Sequence, residues 1–241
     1  MTNRAKCQIV ASSRGPDKKW PPNERQLAMS KTVMIDFPIL NDGYTAEDRE
    51  DYASFVQELG ARKGVNHVAR YDTIQHLSGS LEGAIGVNLW ELETAEQLQS
   101  VLASDEYQAR IEERDKIHDM DRLTMYLATQ TLDEPYDPTK PALLDLVVLN
   151  PGQTLDDRTE YAKLMKPIGE RYNAKVVKSF TIQQQLRGEL PEAVEFNIWE
   201  LPDAEVFGRI VSDPEYQANI VERDRIHDMG KLTMILATPV T

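Results

Sequence analysis

Residues 107–129 read YQARIEERDKIHDMDRLTMYLAT and residues 216–238 read YQANIVERDRIHDMGKLTMILAT, identical at 17 of 23 positions with a constant offset of 109. The same offset pairs Val87-Asn88-Leu89-Trp90-Glu91-Leu92 with Phe196-Asn197-Ile198-Trp199-Glu200-Leu201. It also pairs Asn41, Gly43, Thr45, Asp48, Arg49 and Tyr52 with Asn150, Gly152, Thr154, Asp157, Arg158 and Tyr161. The chain is a tandem repeat. Two copies of about 100 residues are too few and too large for a solenoid, so each is read as a small domain or as half of a symmetric one.

Working outward from the repeat, the order of elements is legible. Residues 33–40 are β-rich, Asn41-Asp42-Gly43 is a turn, and Thr45 with Asp48 three residues on opens a helix running to about Gly60. A second strand spans about 67–76, a turn follows at Ser78-Gly79-Ser80, and 84–92 alternate as a third strand. Thr94 opens a second helix, Ser104 or Asp105 caps its continuation to about Met120, and 123–129 form a last strand. The order βαββαβ is that of a ferredoxin-like plait. The expected fold is α+β, two such plaits fused into a pseudo-twofold α/β barrel. Its boundaries are a basic flexible extension over 1–31, repeat one over 32–131, a linker rich in Pro and Asp over 132–141, and repeat two over 142–241.

Composition narrows the class. Of the 241 residues 41% are hydrophobic and 28% charged, which excludes collagen-like and wholly disordered chains. One cysteine, Cys7, excludes an internal disulfide framework and points to a reducing, cytoplasmic setting. No apolar run reaches the roughly 20 residues that span a bilayer, so no membrane partner is expected. The net charge of −13 hides a basic tail of +5 on a body of −18, and a body that acidic repels phosphate backbones, so no nucleic-acid partner is expected either.

The strand ending in Asn-x-Trp-Glu-Leu and the helix after Glu93-Thr94-Ala95 resemble those of the dimeric α/β-barrel superfamily. So do the steps Ser104-Asp105-Glu106-Tyr107-Gln108 and Asp213-Pro214-Glu215-Tyr216-Gln217. The chain is most similar there to the DUF1330-like and EthD-like small domains. The resemblance implies that one chain builds what ordinary members build from two. It also implies a setting in which monooxygenases, cyclases, decarboxylases and dehydratases occur.

A period-two reading of the strands separates an apolar face from a mixed one. With the apolar faces assigned to the helices, the mixed faces line the space between the two sheets. That lumen is expected to hold Asp36, Asp145, Asn88, Asn197, Trp90 and Trp199 with the Thr and Gln pairs of the second strand, and Tyr71 and Tyr126. Alternation points His76 away from Tyr71, so only a bulge or the strand end turns it inward. The second strand is aligned with one residue of slippage, which sets Tyr71 against Ser179 and His76 against Gln184. Unpaired buried polar groups cost roughly 1–3 kcal/mol each, so so many of them predict a pocket with aromatic walls. The competing reading makes both tryptophans core, solvates the aspartates at strand ends and pairs Asn88 with Asn197 across the pseudo-twofold.

His118 and His227 close the duplicated Asp-Lys/Arg-Ile-His-Asp-Met. They read either as helix C-terminal caps or as general bases oriented by Asp115 or Asp119 and by Asp224 or Asp228. One histidine per copy does not make a metal site. Some relatives in the superfamily bind haem, so the resemblance implies a haem ligand as a further option for His67 or His76, with no motif to specify it. No Gly-x-Gly-x-x-Gly, Walker or Gly-x-Ser-x-Gly pattern is present, so no nucleotide cofactor is expected.

Two functions follow. The first is a cofactor-independent enzyme acting on a small aromatic or polyketide-like molecule between the sheets. Its proton-transfer candidates are Asp36, His76, Tyr126, His118 and His227, and its binding candidates are Tyr71, Asn88, Trp90, Asp145, Asn197 and Trp199. The second is a non-catalytic ligand-binding or stress-associated protein. Homo-oligomers are compatible with both. Because Tyr71, His76 and Tyr126 belong to copy one, any chemistry is expected mainly there.

Overall fold

A computed structural model describes residues 31–188 and 190–240. The expectations for the basic extension and for Cys7 lie outside the described residues, Lys31 excepted. The first half contains β1 (Thr32–Phe37), α1 (Glu50–Arg62), β2 (Asn66–Ser78), β3 (Gly86–Leu92), α2 (Ala95–Leu102), α3 (Asp105–Ala109), α4 (Ile111–Ile117) and β4 (Thr124–Asp133). The second contains β5 (Ala142–Val148), α5 (Leu155–Arg171), β6 (Lys175–Arg187), β7 (Ala193–Glu200), α6 (Val206–Val211), α7 (Pro214–Ala218), α8 (Ile220–Ile226) and β8 (Thr233–Val240).

Side chains at the helix starts explain where the helices begin. Thr45 Oγ1 lies 2.7 Å from Asp48 Oδ2, and Thr154 Oγ1 lies 2.7 Å from Asp157 Oδ2, so each hydroxyl and carboxylate pair satisfies N–H groups a forming helix leaves unpaired. Thr94 with Gln97 does the same for α2. The helix expected to run from Ser104 to Met120 is instead α3 and α4, broken at Arg110 and ended at Ile117. His118 follows in extended conformation and bridges to Leu40.

The eight strands close into one antiparallel barrel in the order β1-β3-β2-β8-β5-β7-β6-β4. The first half supplies four adjacent strands, the second supplies the other four, and the seams are β2 with β8 and β4 with β6. Glycines equivalent in the repeat sit at both seams. Gly79 (φ +85°) and Gly188 (φ +105°) adopt backbone conformations that side chains resist. A Cβ would come within 2.1 Å of the Leu232 carbonyl oxygen at the first and 2.8 Å of Thr124 Cα at the second.

The barrel interior is not the polar lumen expected above. It is filled by Val33, Ile35, Phe37, Val87, Leu89, Leu144, Leu146, Phe180, Phe196, Ile198 and Ile235, with Tyr71 and Tyr126 among them. Phe37 stands edge-on to Phe196 at 5.6 Å, and Phe180 stacks on Phe196 at 5.9 Å. The register gives the reason. Cross-strand partners share a face, and Tyr126 pairs with Ile35 while Asp36 pairs with Met125, so Tyr126 points inward and Asp36 outward. Tyr71 likewise pairs with Val87 and points inward, whereas Asn88 turns out. The apolar faces fill the barrel, and the mixed faces meet the helices.

No slippage occurs in the second strand. Arg70 pairs with Asn88 as Ser179 pairs with Asn197, and Tyr71 with Val87 as Phe180 with Phe196, so the offset of 109 holds through the strand. The residue equivalent to Tyr71 is therefore Phe180, and His76, opposite Ile235, corresponds to Gln185, opposite Tyr126. No helix among the described residues is long and apolar enough to cross a membrane.

Candidate functional site

Each half places the same polar group on the outer face of the barrel, under its helices. In the first, Asn88 Nδ2 donates to Asp36 Oδ1 at 2.7 Å and Trp90 Nε1 donates to Asp36 Oδ2 at 2.6 Å. In the second, Asn197 Nδ2 donates to Asp145 Oδ1 at 2.8 Å and Trp199 Nε1 to Asp145 Oδ2 at 3.1 Å. Asn88 and Asn197 thus bond within their own halves and not to each other. Burial pushes the Asp36 carboxyl above the usual carboxylate range, against the opposing charge of Arg49 and the two hydrogen bonds. Arg49 and Arg158, equivalent residues, are both buried beside these groups.

The histidines complete each group. His118 Nδ1 lies 3.2 Å from the Arg114 carbonyl oxygen and His227 Nδ1 lies 2.9 Å from that of Arg223. A carbonyl oxygen only accepts, so Nδ1 carries the proton and Nε2 is the basic nitrogen. The expected orienting carboxylates are elsewhere: Asp115 and Asp224 take the guanidinium groups of Arg114 and Arg223. Burial, with Arg49 nearby, pushes the His118 imidazole down to about 4. Burial also lowers His227 from its ordinary value. Tyr52 and Tyr161 stand edge-on to these rings at 5.5 and 5.1 Å.

The halves differ in the space above the group. The first encloses a cavity of about 120 Å³, bounded by Met34, Trp90, Val56, Leu98 and Tyr107. The second encloses about 500 Å³, bounded by Leu143, Met165, Trp199, Phe207, Ile210 and Met234, with Asp145, Arg158, Glu195, Asn197 and His227 on its wall. Smaller residues in the second half account for the difference. Ala174 and Val176 stand where the first half has Val65 and His67, and the His67 ring lies 4.7 Å from that of Trp90. Arg110 lies over Phe55 at 4.6 Å, whereas the equivalent residues are Asn219 and the exposed Leu164.

Glu195 is the second difference, because its equivalent is Gly86. Its carboxylate lies 3.5 Å from Arg158 Nε and accepts from Asn197 Nδ2 at 3.1 Å. One amide nitrogen therefore bridges Asp145 and Glu195. Ser179 Oγ donates to Asn197 Oδ1 at 2.6 Å and fixes which end of the amide faces the carboxylates. Burial raises Glu195 above the usual carboxylate range, Arg158 and the Asn197 hydrogen bond oppose the shift, and Asp145 adds to it.

The structure therefore brings together Asp36, Asn88, Trp90 and His118 in one half, and Asp145, Asn197, Trp199 and His227 in the other. It separates Tyr71 and Tyr126 from both, since they lie inside the barrel, where burial raises both phenols above their ordinary value. His76 Nε2 lies 2.8 Å from the Ser80 carbonyl oxygen. Neither His67 nor His76 lines either cavity. Among the described residues no three His, Cys, Asp or Glu side chains converge. Sequence reasoning missed Arg49, Arg158, Glu195 and Ser179. The repeated Arg49-x-x-Tyr52 and Arg158-x-x-Tyr161 was the available signal, since a cation three residues before an aromatic recurs on two helix starts.

The chain aligns with a structure described as an anthrone oxidase-like protein at 11% identity, covering 88% of this chain and 92% of that one, with a TM-score of 0.57. A mutant chlorite dismutase from Candidatus Nitrospira defluvii aligns at 12% identity over 90% and 95% of the two chains, with a TM-score of 0.55. These likenesses show a shared α+β barrel fold. No protein-family model and no curated protein matches the chain.

Proposed function

We propose that the chain is a cofactor-independent enzyme that removes a proton from a small aromatic or polyketide-like molecule in the second-half cavity. The observation that carries this is the 500 Å³ apolar space whose wall holds His227 and the Asp145–Asn197–Glu195 group. In this reading the barrel is two fused ferredoxin-like plaits related by a pseudo-twofold, of the DUF1330-like and EthD-like kind. The site lies between helices and strands of repeat two, and repeat one serves mainly as support.

Proton removal is a first step open to oxidation, cyclisation, decarboxylation and dehydration alike. His227 Nε2 takes a proton from a carbon next to a carbonyl, and the C–H electron pair moves onto the carbonyl oxygen. Arg158 limits the build-up of negative charge on that oxygen, and Glu195, whose carboxyl burial raises above the usual range, stands beside it. Trp199 and Phe207 supply ring surface for stacking. The likeness to a structure described as anthrone oxidase-like agrees with an aromatic substrate.

Anthrone, a tricyclic ketone with an acidified methylene, is a suitable probe. Incubated with the full chain in deuterated buffer, its methylene should exchange well above the buffer rate. His227→Gln should lower that rate by about 100-fold or more, the range general-base catalysis spans, while Tyr126→Phe leaves it unchanged. Binding of anthrone without exchange would overturn the enzyme reading and leave a ligand-binding protein in its place.

A further inference from the structure

In the first half Arg49 is 7% exposed and its Nε has no hydrogen-bond partner. Among the described residues its guanidinium forms no ion pair within 4.0 Å. A buried, unpaired guanidinium is costly, and such groups are found paired in folded proteins. The nearest carboxylate on the cavity wall, Asp36, is already held on both oxygens by Asn88 and Trp90. Arg70, opposite Asn88, is paired with Glu50 and Asp72.

The second half shows what is missing. Arg158 Nε, like that of Arg49, makes no hydrogen bond, but it has the Glu195 carboxylate at 3.5 Å as an ion pair, and Asn197 gives that carboxylate its second N–H. In the first half the equivalent residue is Gly86, and a Cβ there would come within 2.3 Å of the Tyr71 carbonyl oxygen, so no side chain fits. The second N–H of Asn88 has no partner among the described residues. Arg49 and Asn88 thus present the same two donors without the acceptor, at the wall of a cavity of about 120 Å³ lined by Met34, Val56, Leu98 and Val101.

We propose that the first-half cavity binds a small aliphatic monocarboxylate whose carboxylate takes the place that Glu195 fills in the second half. The carboxylate accepts from Arg49 and from the spare N–H of Asn88, and the alkyl part occupies the apolar space. An apolar cavity of about 150 Å³ accommodates benzene, so about 120 Å³ sets a limit near four or five carbons. The donor pair selects an anion, and the walls select a short branched or straight chain over a bare inorganic ion. The proposal is independent of the chemistry assigned to the second half.

Isovalerate is the probe, titrated into the full chain by calorimetry and by following the indole N–H resonances, which Trp90→Phe and Trp199→Phe assign. One saturable site should appear, moving the Trp90 resonance and leaving that of Trp199 in place. Isovaleramide, equal in shape and uncharged, should bind at least tenfold more weakly, and formate should bind more weakly than isovalerate. Arg49→Gln should weaken isovalerate at least tenfold. Should that variant not fold, the acid and amide comparison on the unaltered chain decides alone. Equal binding of acid and amide, movement of Trp199 and not Trp90, or no saturation would each overturn the proposal.

Discussion

Trp90 Nε1 donates to Asp36 Oδ2 at 2.6 Å, tying the third strand of the first half to its first through side chains on the helix-facing side. Trp199 and Asp145 make the same bond at 3.1 Å. Trp90 is the more buried of the two, so loss of its donor should be felt more. Trp90→Phe, which keeps the ring and removes the N–H, should cost about 1–3 kcal/mol. Trp199→Phe should cost less, and urea unfolding midpoints of the two variants make the comparison. Equal costs would count against the difference in bond length and burial.

His118 gives stability a pH dependence. Its native value near 4 lies below the 6.5 of the unfolded chain, so below 6.5 the unfolded state binds a proton that the native state refuses. Its contribution is fully present above about pH 6.5, is lost as pH falls and levels off near 4. The shift is worth about 3 kcal/mol. Asp36, raised by burial, acts with the opposite sign: the unfolded chain releases its proton first as pH rises past about 3.8. His118→Gln removes only the histidine part, so its stability relative to the unaltered chain should improve between pH 6.5 and 4. An unchanged difference across that range would refute the assignment.

The second-half cavity should be closable with residues taken from the first. Ala174→Val with Val176→His introduces the side chains that narrow the equivalent space, both lining positions of the larger cavity. The double variant should fold, because the first half already accommodates this pair, and anthrone exchange should fall at least tenfold. Retention of full exchange would place the substrate elsewhere.

The seam glycines offer a test of how the barrel is joined. Gly79→Ala and Gly188→Ala each force a side chain into a positive-φ backbone against the facing half. Each should cost more than about 2 kcal/mol, with strain and overlap together. Gly43→Ala, at φ +87° in open space, carries strain alone and should cost less. Thermal midpoints for the three variants, compared side by side, would show whether the seam adds to the strain.

Much of the fold was legible in the chain because the repeat exposed it twice. Thr45 with Asp48, Thr94 at its helix start and the strand pattern around Asn88 and Trp90 are local signals, and local signals place elements. What the pattern could not give was which face of a strand looks inward. Alternation separates Asp36 from Ile35 without saying which meets the helices, and here the polar side chains of Arg49, Tyr52 and His118 line the same cavity as Asp36 on the helix side. Tyr126 and Asp36 were grouped by polarity, yet the pairing of Tyr126 with Ile35 sets them on opposite faces. Glu195 stood out in neither half, since its meaning comes from Gly86 at the matching place and from Arg158, 37 positions earlier in the chain.

The closed strand order leaves no free edge within the barrel. Opening either half exposes unpaired backbone along β2 and β4 on one side and β8 and β6 on the other, so neither half can melt without uncapping its neighbour. Slow amide hydrogen exchange should therefore be shared evenly by the two seams even though the cavities behind them differ fourfold in size. Tethering also makes seam formation independent of protein concentration, and a change that would be applied twice in a symmetric pair is applied once here. That freedom is what allows one cavity to keep a glycine where the other carries a glutamate.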